Sequence, residues 1–137
     1  MRDGGLRQLF QQHMPEVHFQ SVETGGTGLG VPDTNFCVGG IEGWIEFKVV
    51  TATAVGIRPE QVAWAERRLR SGGRVFVAVR RKCSAGPRRE ARDELHLYNG
   101  SSARELKERG LLADPLGVFV KGPAAWDWQS IKKHLTD

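Results

Sequence analysis

Between residues 44 and 79 the chain spells a strand, a helix and a second strand in direct succession, and this most restricts what it can fold into. Residues 44–50, WIEFKVV, read as a strand. Pro59 suits the first turn of a helix running to about Arg70, with Val62, Trp64, Ala65 and Leu69 as its apolar stripe. Ser71, Gly72 and Gly73 end that helix. The unbroken apolar run VFVAV at 75–79 is expected of a strand covered on both faces. A helix crossing between two such strands makes them parallel neighbours, with layers of helix packed on the sheet.

The rest of the chain adds to that unit. A short helix is expected over residues 3–13, where Leu6, Leu9 and Phe10 recur, and Pro15 stops it. Residues 17–23 alternate weakly as a strand. Residues 33–38 and 44–50 are expected to form a hairpin through the glycine-rich segment 39–43. After the VFVAV strand comes a basic loop over residues 80–92, a strand over 94–98 and a helix over about 103–109 with Gly110 as its stop. A last amphipathic helix is expected over 126–135. The predicted class is α/β: one domain over residues 1–137, a mixed sheet flanked by helices.

Composition removes several classes. The 137 residues are 39% hydrophobic and 26% charged, too apolar for a disordered chain. No apolar run approaches the roughly 20 residues that a bilayer span needs, so no membrane partner is expected. No signal-peptide pattern opens the chain, and two cysteines make neither a disulfide framework nor a CxxC pair, which fits a cytoplasmic setting. Cys37 is expected to be buried and inert. Net charge is +4, but nine cations and no acid fall between Arg67 and Arg89. Such a block favours an anionic partner, of which nucleic acid is the commonest. A solvated basic surface is the plain alternative.

The chemistry is concentrated around WIEFK. Alternate strand residues share a face, so Glu46 and Lys48 point one way while Ile45, Phe47 and Val49 point into a core. Asp33 opens the neighbouring strand and can lie across from Glu46. Two carboxylates converging beside a lysine suit a hard divalent cation, Mg²⁺ or Mn²⁺. Such an ion can bind a phosphate oxygen and lower the pKa of a bound water, while the lysine positions the water or offsets growing charge. The plainer alternative has Asp33 capping a turn and Glu46 pairing with Lys48 on a solvated strand face.

The ordered set of Pro32-Asp33, then Glu46-Phe47-Lys48 on a strand, then RPEQ (58–61) opening a helix resembles the PD-(D/E)XK nuclease signature, and within it the VRR-NUC branch related to Holliday-junction resolvases. The resemblance covers about residues 16–80. It implies a restriction-endonuclease-like fold and a metal-dependent DNA endonuclease, of the small stand-alone type found in phages and bacteria, acting as a homodimer on branched or duplex DNA. It implies Asp33 and Glu46 as metal ligands, the Phe47 backbone carbonyl as a third, Lys48 as the catalytic lysine and Gln61 as the glutamine that completes the set. Many relatives carry a further acid on the first helix. Here that helix offers Gln8, Gln11 and Gln12, with only Asp3 at its start, so Glu16 or Glu23 is the expected upstream contributor.

Phosphate contacts are expected from Arg80, Arg81 and Lys82, read as following a strand into a mobile loop, and from Arg88 and Arg89. The glycine loop at 24–30, with Gly26 and Gly28, is read as flexible and placed to let DNA approach. It lacks phosphate-loop spacing. Trp64, Trp126 and Trp128 are expected in the core or a subunit interface, and Trp44 beside Glu46 as packing or support. A non-catalytic DNA-binding module on the same fold is the alternative function.

Overall fold

The computed structural model describes residues 3–23 and 28–137. The elements are α1 (Leu6–His13), β1 (His18–Ser21), β2 (Thr34–Val38), β3 (Ile41–Val50), α2 (Pro59–Arg70), β4 (Val75–Cys83), β5 (Arg92–Asn99), α3 (Ala103–Arg109), β6 (Gly117–Phe119) and α4 (Trp128–Thr136), with 3₁₀ turns at Gly100–Ser102 and Gly110–Leu112. The six strands form one mixed sheet in the order β1-β2-β3-β4-β5-β6. Every neighbouring pair is antiparallel except β3 and β4, which run parallel across the α2 crossover. The α/β reading therefore holds.

Two cores lie on opposite faces of the sheet. On one, Leu6 and Phe10 of α1 and Ile131 and Leu135 of α4 meet Phe19, Phe36, Ile45, Phe47, Phe76 and Leu95. On the other, Val62 and Ala65 of α2 and Ala103 and Leu106 of α3 meet Val75, Val77, Val79 and Tyr98. All five residues of VFVAV are buried, as a strand covered on both faces requires. Among the described residues no helix is long and apolar enough to cross a membrane.

Several expectations need correction. The hairpin between β2 and β3 turns on two residues, Gly39 and Gly40, because both take positive φ (56° and 80°) and Val38 pairs directly with Ile41. β4 does not stop at Val79. It continues through Arg80, Arg81 and Lys82 to Cys83, paired throughout with β5, so these three cations stand on a strand. β6 has no strong sequence pattern and was not foreseen. Its three residues gain strand form by pairing with Leu95–Leu97. Val49 is 38% exposed rather than in the core, and Cys37 is only half-buried. Trp126 is buried, while Trp64 and Trp128 are half-buried against the two cores.

Candidate metal and catalytic site

β2 begins at Thr34, opposite Ile45, so the residue before it stands opposite Glu46. That residue is Asp33. Its backbone N–H donates to Glu46 Oε1 at 3.1 Å, and its side chain accepts from the Thr34 hydroxyl at 3.0 Å. The Phe47 N–H also supports the Asp33 carboxylate. A strand residue turns its N–H and C=O to the same edge. The Phe47 carbonyl therefore lies on the edge of β3 next to Asp33, beyond the last β2 residue that could pair with it. The two expected carboxylates thus stand opposite each other across the strand pair.

Lys48 lies two residues on, on the Glu46 face. Its Nζ is 3.7 Å from Glu46 Oε2 and donates to the Gly56 carbonyl at 2.9 Å. The Glu46 and Lys48 side chains are 16% and 22% exposed. This is not the solvated strand face of the plainer alternative. Burial first, and then the Asp33 charge, push the Glu46 carboxyl up to about 7, against the pull of Lys48 and Arg58. Burial also raises Asp33, opposed by its hydrogen bonds from Thr34 and Phe47. Two adjacent carboxylates that resist ionisation together are a donor set that a divalent cation would stabilise. Hard oxygen donors of this kind fit Mg²⁺ or Mn²⁺. Among the described residues no three acidic, histidine or cysteine side chains are grouped so as to hold a metal ion.

Gln61 arrives at the site from α2. Its Oε1 accepts the Arg58 N–H at 2.9 Å, which caps the helix, and its side chain lines a cavity of about 20 Å³ together with Glu46, Gly30 and Pro32. Gly30 explains why the preceding loop can end here. Its φ is +86°, and a Cβ would stand 2.1 Å from the Glu60 carbonyl oxygen, so only glycine fits against the first turn of α2. Gly28 accepts from the Val31 N–H at 3.3 Å. Gly26 lies outside the described residues.

Both expected upstream acids are on the surface. Glu16 is exposed and pairs with Lys132 of α4 at 3.3 Å. Glu23 is exposed, one residue past Val22, whose N–H bonds the Asp33 carbonyl. The acid whose charge reaches Asp33 is Asp3, and Arg7 opposes it. Asp3 is buried, and its carboxylate accepts the N–H groups of Gly5 at 2.9 Å and Arg7 at 3.4 Å ahead of α1. The sequence places Asp3 at the start of the first helix. Its true place is the turn before it, where an acid binds free backbone amides. Arg7, which acts on Asp33 through space and stands in no motif, has no signal in the sequence.

The basic residues divide. Arg80 is buried and forms a two-pronged ion pair with Asp93, each bond 2.7 Å, beneath the Trp126 ring. It is therefore a poor phosphate donor. Its inward direction follows from its strand position, which alternates with Val79 and Arg81. Arg81 is half-buried with its Nε 3.5 Å from the Thr51 carbonyl, while Lys82, Arg88 and Arg89 are exposed. Trp44 packs edge-on against Trp64 of α2, with Arg68 over both rings. The chain matches no protein-family model and no curated protein.

Proposed function

We propose that the chain is a divalent-metal-dependent DNA endonuclease of the PD-(D/E)XK type, hydrolysing phosphodiester bonds. The observation that carries this reading is the half-buried Asp33–Glu46 pair, joined by a backbone hydrogen bond, with the Lys48 ammonium 3.7 Å from Glu46. Asp33, Glu46 and the Phe47 carbonyl would hold Mg²⁺ or Mn²⁺. When bound, the ion supplies Lewis acidity toward a phosphate oxygen and a more acidic water. The chain's own residues do the rest. Lys48, anchored to the Gly56 carbonyl, keeps a donor for the attacking water or the phosphate oxygens. Glu46 orders that lysine. Gln61 fixes the first turn of α2 beside the site, and Asp3 biases the protonation of Asp33.

Duplex or branched DNA is the proposed substrate, and its shape rather than its base sequence would be read, through phosphate contacts from the basic stretch. A homodimer acting on branched DNA is the proposed form. Cleavage of a labelled four-way junction and its matched linear duplex tests this, with Mg²⁺, Mn²⁺ or EDTA and with Asp33→Ala beside the parent. Metal-dependent cutting that favours the junction and is lost in the variant is expected. Equal cutting of both substrates would remove the preference for branched DNA. Binding without cutting in any metal would leave a non-catalytic DNA-binding module.

A further inference from the structure

The β4–β5 pair continues beyond the sheet that holds it. β3 ends opposite Arg81, and β6 flanks β5 only at Leu95–Leu97. The β4–β5 ladder ends at Cys83 and Arg92, and three residues further out, in the same register, an isolated bridge joins Gly86 and Arg89, which exchange both backbone hydrogen bonds around Pro87 and Arg88. From Cys83 and Arg92 outward the chain is thus a hairpin extension of the β4–β5 ribbon, closed at its tip by this bridge, with Arg89 Nε also donating to the Ser84 carbonyl at 3.0 Å. Apart from Glu90 its side chains are small or cationic, and it carries no large apolar side chain. Residues 81–92 carry five cations against one acid, Glu90. Lys82, Arg88 and Arg89 form no ion pair among the described residues.

The ribbon also points in a useful direction. Lys48 is level with Val79 on the adjacent strand, and β4 runs from there to the tip. Eight residues separate Val79 from Pro87, which at about 3.3 Å per residue is roughly 26 Å. Along a duplex at about 3.4 Å per base pair, that reach is roughly 8 base pairs. A two-stranded ribbon also fits the major groove, about 12 Å wide.

We infer that the β4–β5 ribbon is an arm that grips duplex DNA through phosphates about 8 base pairs from the bond at the Asp33–Glu46 site, with Arg88 and Arg89 as its terminal contacts. The inference rests on the nuclease reading for the identity of its ligand. Its test is binding rather than cutting. Fluorescence anisotropy in EDTA, on duplexes lengthened from about 6 to about 20 base pairs, compares the parent with R88A/R89A. The parent should gain affinity once the duplex spans site and tip. The double variant should lose that gain, bind about 50-fold more weakly near 0.1 M salt, and show a log–log salt slope shallower by about 2, at roughly 0.9 per phosphate contact. Both substitutions are at exposed positions of the tip. Equal salt slopes and equal length dependence in the two proteins would overturn the arm. Metal-dependent cleavage of the longest duplex by the parent is scored separately: a length step without any cleavage sustains the arm and removes the nuclease.

Discussion

The backbone N–H of Asp33 donates to Glu46 Oε1 at 3.1 Å, so the Glu46 carboxylate is held against the residue that stands opposite it across the strand pair. Asp33 is opposite Glu46 because β2 and β3 are joined by a two-residue turn, and the turn is two residues long because Gly39 and Gly40 both accept positive φ. A slip of one residue would carry Glu46 to the Phe47 face. The site is therefore as sensitive to the hairpin as to its own side chains.

Lys48→Ala should lower the rate of DNA cleavage by about 10²–10³-fold, the usual effect of losing one charge-stabilising donor. Fold stability should change far less than cleavage, because the Lys48–Glu46 ion pair is long, at 3.7 Å. Single-turnover cleavage and urea unfolding, read together, separate the two effects. Cleavage unchanged from the parent would remove Lys48 from the chemistry.

The metal-free protein should lose stability as pH rises through the Glu46 titration. The carboxyl titrates at about 7 folded and near 4.5 unfolded. Below about 4.5 both states are protonated and there is no penalty. Between the two values the folded state holds the proton more tightly, so each step up in pH favours unfolding, and above about 7 the full penalty, up to about 3 kcal/mol, is present. Glu46→Gln keeps the oxygen that accepts the Asp33 N–H and removes the charge. Its urea midpoint at pH 8 should exceed that of the parent, and Mg²⁺ should stabilise the parent but not the variant. A parent as stable at pH 8 as at pH 5 would contradict this account.

Much of this was legible in the sequence, and the reason is physical. The β3–α2–β4 unit announces itself through an unbroken apolar strand and a proline-started helix, both local signals. The Asp33–Glu46–Lys48 set follows from two-residue periodicity. What was missed acts through tertiary context. β6 exists only because β5 offers it an edge, and Asp3 is buried only because the turn before α1 gives its carboxylate the Gly5 and Arg7 amides. The strand reach of β4 was hidden because Arg80, Arg81 and Lys82 look like loop. Cross-strand pairing with β5 and the Asp93 carboxylate override that propensity.

Arg80→Ala should behave as a stability variant. It leaves Asp93 partly buried without its partner, at a cost of about 3 kcal/mol, whereas the exposed Arg88→Ala should cost under about 0.5 kcal/mol. Chemical denaturation of the two proteins checks the contrast. An Arg80→Ala protein with unaltered stability and a shallower salt slope would return Arg80 to the DNA-contacting set.

Gly30→Ala should disrupt the seat of the loop on α2, because its Cβ would overlap the Glu60 carbonyl oxygen and its φ is positive. A loss of about 2 kcal/mol or more is expected, with a drop in thermal midpoint of several degrees. Gln61→Ala should cost about 1 kcal/mol through the lost α2 cap. Calorimetric unfolding measures both. A Gly30→Ala midpoint equal to the parent's would show that the loop does not need this seat.

The most direct test of the central claim is cleavage of end-labelled DNA under enzyme excess, comparing the parent with Asp33→Ala and Lys48→Ala in Mg²⁺, Mn²⁺ and EDTA. The account predicts that the parent cuts with either metal, that EDTA stops it, and that both variants fold but lose the activity. A parent that binds DNA yet cuts no duplex or branched substrate in either metal, or a Lys48→Ala protein that cuts as well as the parent, would contradict it.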